Sequence, residues 1–225
     1  MASGVLEYLD AMSVPPYRNY AKSPETAIED YNKLRTLIDR YAPAGKKGMP
    51  IISSEWGYSS ATKGVSQEVQ AASGVRMQLS NLLYGIPVSI WYDWKNDGDD
   101  PADHESNFGT VTSNLEPKPV YAAIQLMNKQ LKGFTLVRRI ELKNGNDFVL
   151  LFKNKENKYK ISAWTADSAH SVLLDNNMPK INRVAAIDGN GNVLKLKAER
   201  GRLSLDLKAL PQYISIGLFP DKFGK

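Results

Sequence analysis

Glu55 is the residue whose position most favours chemistry. It directly follows the segment Ile51-Ile52-Ser53-Ser54 and directly precedes Trp56 and Gly57. A carboxylate at the end of a strand can act as a nucleophile or transfer a proton. It can also be an ordinary exposed carboxylate, because glutamate is seldom buried.

A second set of carboxylates lies on the loop that follows the next apolar segment. The set comprises Asp93, Asp97, Asp99, Asp100, Asp103 and Glu105. Asp93 is the closest of them to Glu55 in register. We expect all six to be solvated loop acids with nearly ordinary pKa values, whereas a general acid needs a raised pKa.

Other chemistries have weaker support. Cysteine is absent, which excludes disulfides, thiolate zinc sites and cysteine nucleophiles, and His104 and His170 are the only imidazoles. The stretch 57–61 only approximates a nucleophile elbow, so a serine triad built from Ser59 or Ser60, His104 and an aspartate is conceivable but has no local signature. We expect no cofactor.

The stretch 188–192 with Glu199 imitates several positions of a calcium loop. However, Val193 stands where the loop requires glycine, and strands flank the segment. We therefore expect a hairpin turn there and no metal site.

The first 132 residues alternate short apolar runs with helical patterns. Strands are predicted over 9–14, 51–54 and 86–91. Helices are predicted over 24–42, from Ser66 to Gly85, and from Pro119 to Leu131. Strands that are apolar on both faces favour parallel pairing with helices packed outside.

Residues 133–225 have a different pattern. Short alternating segments are predicted as strands over 135–142, 147–152, 159–164, 172–174, 183–187, 193–198, 203–207 and 213–218. Because no helical pattern interrupts them, we expect an antiparallel β-sandwich, with the domain boundary near Lys132.

The charge is unevenly distributed. Residues 131–225 hold 17 lysines and arginines against 9 acidic residues, and the whole chain carries a formal charge of +5. The lysines alternate with apolar residues as on the solvent face of a strand pair, and no nucleic-acid-binding signature accompanies them, so we expect no nucleic-acid partner. No apolar run is long enough to span a membrane, and the first residues lack the regions of a signal peptide.

Three segments together resemble a known group of enzymes. SSEWG at 53–57 resembles the end of the seventh strand of clan A glycoside hydrolases, the retaining cellulase-like and β-xylosidase-like (β/α)₈ barrels. DAMSVPPYR at 10–18 resembles their sixth strand, and GIPVSIWYDW at 85–94 their eighth. The resemblance implies a partial barrel, consisting of the last three βα units, followed by the β-sandwich.

The resemblance also implies roles for particular residues. Glu55 would be the nucleophile of a retaining hydrolase that cleaves β-glycosidic bonds, and Tyr17 would donate a hydrogen bond to it. Trp56, Trp91 and Asp93 would contact the carbohydrate substrate. No signal peptide is recognised in this chain, although similar enzymes are often secreted or periplasmic.

Two features depart from the pattern of that group. Pro15 stands where the group has histidine. The acid/base glutamate that follows the fourth strand has no counterpart here, although retaining hydrolysis needs two carboxyl groups about 5 to 5.5 Å apart. The alternatives are therefore a truncated hydrolase, a non-catalytic carbohydrate-binding or structural module, and a hydrolase of altered chemistry acting on activated esters or glycosides.

Three parallel strands do not close a barrel. Their inner face and both edges would remain open, exposing more apolar surface than monomers usually do. We therefore expect a homo-oligomer, most simply a C2 dimer that brings two copies of Glu55 into a shared cavity and could supply the second carboxylate in trans.

Overall fold

The computed structural model describes residues 1–20, 22–175, 184–196, 198–199 and 202–218. The chain divides into two compact units, Met1–Lys118 and Pro119–Lys225. A third helix lies between this division and the boundary predicted near Lys132.

The first unit alternates strands with helices in the predicted order. Its elements are β1 (Met12–Val14), α1 (Ala27–Tyr41), β2 (Ile51–Trp56), α2 (Gln67–Leu83) and β3 (Ser89–Trp91). The strands pair in parallel in the order β1-β2-β3. The prediction of three parallel strands is confirmed, although β1 and β3 are shorter than expected.

Local signals account for the helix starts. Ser66 caps α2, and its hydroxyl accepts a hydrogen bond from the Val69 amide at 3.3 Å. Pro24 opens a 3-10 turn, Pro24–Thr26, that leads directly into α1. Proline fits a first turn because its missing N–H has no intrahelical partner there.

The buried face of α2 does not consist of apolar residues alone. Val69 and Leu82 are exposed, whereas Gln70, Arg76 and Asn81 are buried. The three polar side chains are paired: Gln70 with the Tyr58 carbonyl, Arg76 with Glu25, and Asn81 with Tyr31 and Ser89. Because hydrogen bonding offsets the cost of burying a polar group, a periodicity of apolar residues alone could not predict this face.

The two faces of the parallel sheet differ in burial. Ile51 and Ser53 are buried in the core of the first unit. On the opposite face, Ser13 of β1 pairs in register with Ile52 and is exposed. Val88, which directly precedes β3, and Ile90 on β3 are 41% and 49% exposed. One face of this sheet is therefore open.

The second unit begins with α3 (Pro119–Leu131) and continues as strands. These are β4 (Phe134–Arg139), β5 (Asp147–Asn154), β6 (Lys158–Thr165), β7 (His170–Asp175), β8 (Ala185–Ile187), β9 (Val193–Leu194), β10 (Ala198–Glu199), β11 (Arg202–Leu207) and β12 (Gln212–Leu218). They form a six-stranded sheet, β4-β5-β6-β12-β8-β9, and a three-stranded sheet, β10-β11-β7.

All pairings within these two sheets are antiparallel, as predicted. Residues of both sheets contribute to one apolar core, among them Val149, Ile161, Leu174, Leu205 and Ile214. Arg183, at the start of a predicted strand, lies outside the described residues. The β-sandwich remains a prediction, which the shared core supports.

The segment that imitates a calcium loop is a hairpin turn. It joins the antiparallel strands β8 and β9. Both oxygens of the Asp188 carboxylate accept hydrogen bonds from within the turn, from the amides of Asn190 and Asn192 at 2.9 Å and from the Asn192 side chain at 3.0 Å. Burial opposes ionisation of Asp188, but these hydrogen bonds outweigh it and lower the pKa of the carboxyl below its usual value.

One ion pair joins the two sheets of the second unit. Nε2 of His170 on β7 lies 3.0 Å from Oδ2 of the buried Asp147 on β5, and Nδ1 lies 2.8 Å from the Ser168 carbonyl oxygen. The hydrogen bond to Ser168, then that to Asp147, raises the pKa of His170 above its usual 6.5. Both ring nitrogens face acceptors, so the imidazolium form is favoured.

We expect this pair to make stability depend on pH. A raised folded-state pKa contributes stability that is fully present below about pH 6.5 and is lost as the pH rises through the folded value. As the pH rises from about 6.5 through the folded-state pKa, the melting temperature of the parent should therefore fall more than that of His170→Asn. An identical pH dependence in the two proteins would contradict the assignment.

Candidate active site

Residues from three strand ends meet at one edge of the parallel sheet. Tyr17 follows β1 by three residues, Glu55 is the fifth residue of β2, and Asp93 follows β3 by two residues. The carboxyl ends of parallel strands share one edge, where loops build binding sites in sheets of this kind. The sheet topology therefore gathers the predicted residues.

The predicted hydrogen bond between Tyr17 and Glu55 is present. The Tyr17 hydroxyl donates to Glu55 Oε1 at 2.8 Å, and Glu55 itself is exposed. Burial of the phenol, followed by its hydrogen bond to the carboxylate, raises the pKa of Tyr17. Because its pKa is raised, the Tyr17 hydroxyl keeps its proton and remains a hydrogen-bond donor. It orients one oxygen of Glu55 and leaves the other free.

Replacing Tyr17 by phenylalanine should test this contact. Tyr17→Phe keeps the ring and removes the donor, so we expect kcat/KM for a reaction at the Glu55 carboxylate to fall by about 10-fold, the value of one lost hydrogen bond to a charged group. Steady-state kinetics measure this loss. The result would contradict the role of Tyr17 if activity were unchanged while the variant folds like the parent.

The two tryptophans predicted to contact sugar differ in exposure. Trp91 is half-buried and donates its indole N–H to the Phe108 carbonyl at 3.1 Å. Trp56 has no exposed area and packs in the core of the first unit. A fully enclosed ring cannot contact a sugar, so the structure corrects the role expected for Trp56 to one in the core.

An aromatic cluster centred on Phe108 adjoins the Tyr17–Glu55 pair. The rings of Tyr17, Tyr92 and His104 contact Phe108 at centroid distances of 6.2, 5.4 and 4.9 Å. The hydroxyl of the exposed Tyr20 is hydrogen-bonded to the His104 ring. Sequence reasoning missed this cluster, because residues 17, 92 and 108 meet only through the loop packing.

Asp93 departs from the expectation for the loop acids. Asp97, Asp99, Asp100, Asp103 and Glu105 are exposed, as predicted. Asp93 is half-buried, and its Oδ1 is enclosed without a hydrogen-bond partner. Burial, with a smaller contribution from the charge of Asp97, raises the pKa of Asp93 to about 6.

The buried Lys118 is hydrogen-bonded to both the loop that follows β2 and the loop that follows β3. Lys118 is 3% exposed, and its Nζ donates to Ser60 Oγ at 3.0 Å and to Asn96 Oδ1 and the Asn107 carbonyl at 3.2 Å. All three acceptors are uncharged. Burial lowers the pKa of Lys118 to about 8, opposed by the negative charge of Asp93.

The structure disfavours the serine triad considered from the sequence. Ser59 is fully buried and donates its hydroxyl to the main-chain carbonyl of His104 at 2.7 Å. The Ser60 hydroxyl donates to the Asn107 carbonyl at 3.2 Å and accepts from Lys118. Neither hydroxyl contacts an imidazole that could activate it.

Gly57 lets the end of β2 pass close to the loop after β3. A Cβ on Gly57 would lie 2.0 Å from the Tyr92 carbonyl oxygen and 3.0 Å from the Phe108 ring. We expect Gly57→Ala to destabilise the fold by about 1 to 3 kcal/mol, as overpacking does, and to displace Glu55. Gly45→Ala, whose Cβ meets nothing within 4 Å, is the matched control. Equal melting temperatures for the two variants would contradict the close approach.

No described helix has the length and apolar character needed to cross a membrane. Within the described ranges, His, Asp and Glu side chains form no group of three that could hold a metal ion.

The sequence matches no protein-family model and no curated protein. Several solved structures are similar to this chain in fold. A family 39 glycoside hydrolase from Bacteroides cellulosilyticus WH2 superposes with a TM-score of 0.80 at 26% identity, over 95% of this chain and 46% of that one.

Two further solved structures share the fold at lower identity. A glucosidase from Croceicoccus marinus has a TM-score of 0.63 at 14% identity, over 96% of this chain and 56% of its own. An α-L-arabinofuranosidase from Thermotoga maritima has a TM-score of 0.60 at 15% identity, over 92% and 52%. The chain thus spans about half the length of the enzymes that it matches. Over nearly its whole length, the chain is similar in structure to the glycoside hydrolases of clan A.

Proposed function

We propose that this chain is part of a retaining glycoside hydrolase in which Glu55 is the nucleophile that cleaves a β-glycosidic bond. The observation that carries the proposal is the exposed Glu55 carboxylate at the end of a parallel strand, held by the Tyr17 hydroxyl at 2.8 Å. The similarity to glycoside hydrolases supports the reaction class and a carbohydrate substrate.

The proposed chemistry begins with the free oxygen of Glu55. That oxygen attacks the anomeric carbon and forms a glycosyl-enzyme ester, while the leaving-group oxygen departs with the bonding electron pair. Water then hydrolyses the ester and restores the carboxylate. Tyr17 holds Glu55 in position throughout, and the half-buried Trp91 lies on the neighbouring strand.

The fold proposed for this reaction is a partial barrel. Residues 1–132 supply three βα units in the order and parallel sense that a (β/α)₈ barrel requires. Residues 133–225 supply the strands of the proposed β-sandwich. Because the matched enzymes are about twice as long, the activity of a whole enzyme of this class is itself part of the proposal.

Hydrolysis of aryl β-glycosides tests the proposed function. Nitrophenyl β-glucoside and β-xyloside release a coloured phenolate, and proton NMR of the first sugar formed reports its anomeric configuration. We expect release with retention of configuration. Inversion, or hydrolysis that persists unchanged without the Glu55 carboxylate, would contradict the proposed mechanism.

We further propose that a second copy of the chain covers the open face of the parallel sheet. That face exposes Val88 and Ile90, at 41% and 49% of their areas. The buried area would offset the exposure of apolar side chains.

Light scattering at micromolar concentration tests the oligomer. We expect a particle of about twice the 25.0 kDa of one chain, and Ile90→Lys should convert it to the monomer. A stable particle with the mass of a single chain would contradict this proposal.

A further inference from the structure

We propose that Lys118 is a positioning residue of the candidate active site. Its buried ammonium group fixes the main chain at Asn107 and Phe108, and through that main chain it holds the pair of Tyr17 and Glu55 in place. The consequence for catalysis rests on the proposed function, whereas the restraint on the loops does not.

The Lys118 ammonium group has one hydrogen-bond acceptor for each of its three protons. Nζ donates to Ser60 Oγ at 3.0 Å, and to Asn96 Oδ1 and the Asn107 carbonyl oxygen at 3.2 Å. The Ser60 hydroxyl uses its own proton for the same Asn107 carbonyl. A neutral amine has only two protons and could not donate to all three oxygens. The geometry therefore fits the charged form of Lys118.

The Asn107 carbonyl oxygen is where the two loops and α2 meet. Besides the Lys118 ammonium, it accepts hydrogen bonds from the Ser60 amide at 3.1 Å and from Gln70 Nε2 at 3.2 Å. Asn96, which is buried, also donates to the Asn107 side chain at 3.3 Å. Without Lys118, the enclosed Asn96 Oδ1 would lose its donor, an unfavourable state that a shift of the loop would relieve.

Phe108 carries this restraint to the residues of the site. Its carbonyl accepts the Trp91 indole N–H at 3.1 Å, and its ring contacts the Tyr17 ring edge-on, at a centroid distance of 6.2 Å. Tyr17 in turn donates to Glu55 Oε1 at 2.8 Å. A displacement of the peptide between Asn107 and Phe108 would therefore move the ring against which Tyr17 packs.

The charge of Lys118 also acts on Asp93. Burial lowers the pKa of Lys118 to about 8, and the Asp93 charge opposes this effect. Burial and then the charge of Asp97 raise the pKa of Asp93 to about 6, and the Lys118 charge opposes that effect. At pH 7 most molecules therefore carry both charges. A neutral side chain of the same shape would lack this attraction.

Lys118→Met tests the restraint on the loops, because it keeps nearly the length of the side chain and removes the charge and the donors. In a proton–nitrogen correlation spectrum, the Trp91 indole signal, assigned by its absence from Trp91→Phe, should shift and exchange faster with water. The Trp164 indole, in the second unit, is the internal reference. Lys95→Met, which replaces an exposed lysine of the same loop, is the matched control and should leave the Trp91 signal in place. An unmoved Trp91 signal in Lys118→Met would overturn the proposal.

A pH titration separates the ammonium group from a side chain that only fills space. From about pH 7 to pH 9.5, the Trp91 indole signal of the parent should move with a midpoint near the Lys118 pKa of about 8. The step should be absent from Lys118→Met, and the same step in that variant would contradict the role of the ammonium. The Lys118 Cε resonance of the parent should titrate with the same midpoint, a comparison that needs no variant. Clearly different midpoints would also contradict it.

Steady-state kinetics connect the restraint to the reaction and distinguish this inference from the proposed function. On nitrophenyl β-glycosides, Lys118→Met should lower kcat/KM by about 10- to 100-fold, mainly through kcat, because a displaced catalytic group reacts slowly. Lys95→Met should stay within about twofold of the parent. If the Trp91 signal moves in Lys118→Met but kcat/KM does not change, the positioning role fails while the proposed function stands. If the parent hydrolyses no glycoside, the proposed function fails, and the two spectroscopic measurements still decide whether Lys118 fixes the loops.

Discussion

Glu55→Gln is expected to lower kcat/KM on aryl β-glycosides by about 10⁴-fold or more, a loss of at least about 5.4 kcal/mol of transition-state stabilisation. The amide has nearly the shape of the carboxylate but cannot form the glycosyl ester. Tyr17 can still hydrogen-bond to the amide oxygen, so the fold should not change. A stopped assay that follows phenolate release over hours can measure a loss of this size.

Glu29→Gln supplies the control for this substitution. Glu29 is an exposed glutamate in the first turn of α1, outside the set of residues at the sheet edge. Its replacement should leave the rate within about twofold of the parent, since surface substitutions away from special features have small effects. Equal rates for the two variants would remove Glu55 from the mechanism.

Breaking the buried ion pair between Glu25 and Arg76 should strongly destabilise the first unit. Nε of Arg76 donates to Glu25 Oε1 at 2.7 Å and its second nitrogen to Oε2 at 2.6 Å, and both side chains are buried. Glu25→Gln leaves the Arg76 charge enclosed without its partner. We expect unfolding free energy to fall by about 3 to 5 kcal/mol, measured by urea denaturation.

A double variant separates the loss of the pair from the burial of a lone charge. Glu25→Gln with Arg76→Met removes both charges and should be less destabilised than Glu25→Gln alone, because the cost of an uncompensated buried charge disappears. The single variant Arg76→Met completes the comparison. If the losses of unfolding free energy in Glu25→Gln and Arg76→Met simply add up to the loss in the double variant, the bidentate contact is contradicted.

Periodicity predicted the elements of the first unit better than it predicted their burial. Apolar spacing and the signals at Pro24 and Ser66 located the helices, and parallel pairing followed from strands that are apolar on both faces. The buried Gln70, Arg76 and Asn81 could not be predicted, because their partners lie on distant segments that meet only in the folded chain.

The sequence predicted the site residues that lie at strand ends, but it did not predict how the loop residues of the site are arranged. The contact between Tyr17 and Glu55 follows from two adjacent parallel strands, and resemblance to known enzymes pointed to it. The desolvation of Asp93 and the burial of Lys118 depend on how residues 92–118 fold back over the sheet edge. No spacing in the sequence reports that packing.

Covalent trapping tests the central claim most directly. A 2,4-dinitrophenyl 2-deoxy-2-fluoro-β-glycoside slows hydrolysis of the glycosyl-enzyme and needs no proton donor to react, so the nucleophile becomes labelled. We predict that the glucoside or xyloside form adds one fluorinated glycosyl group per chain, and that mass spectrometry of peptides locates it on Glu55. A label on another residue, or an equal yield of label on Glu55→Gln, would contradict the account.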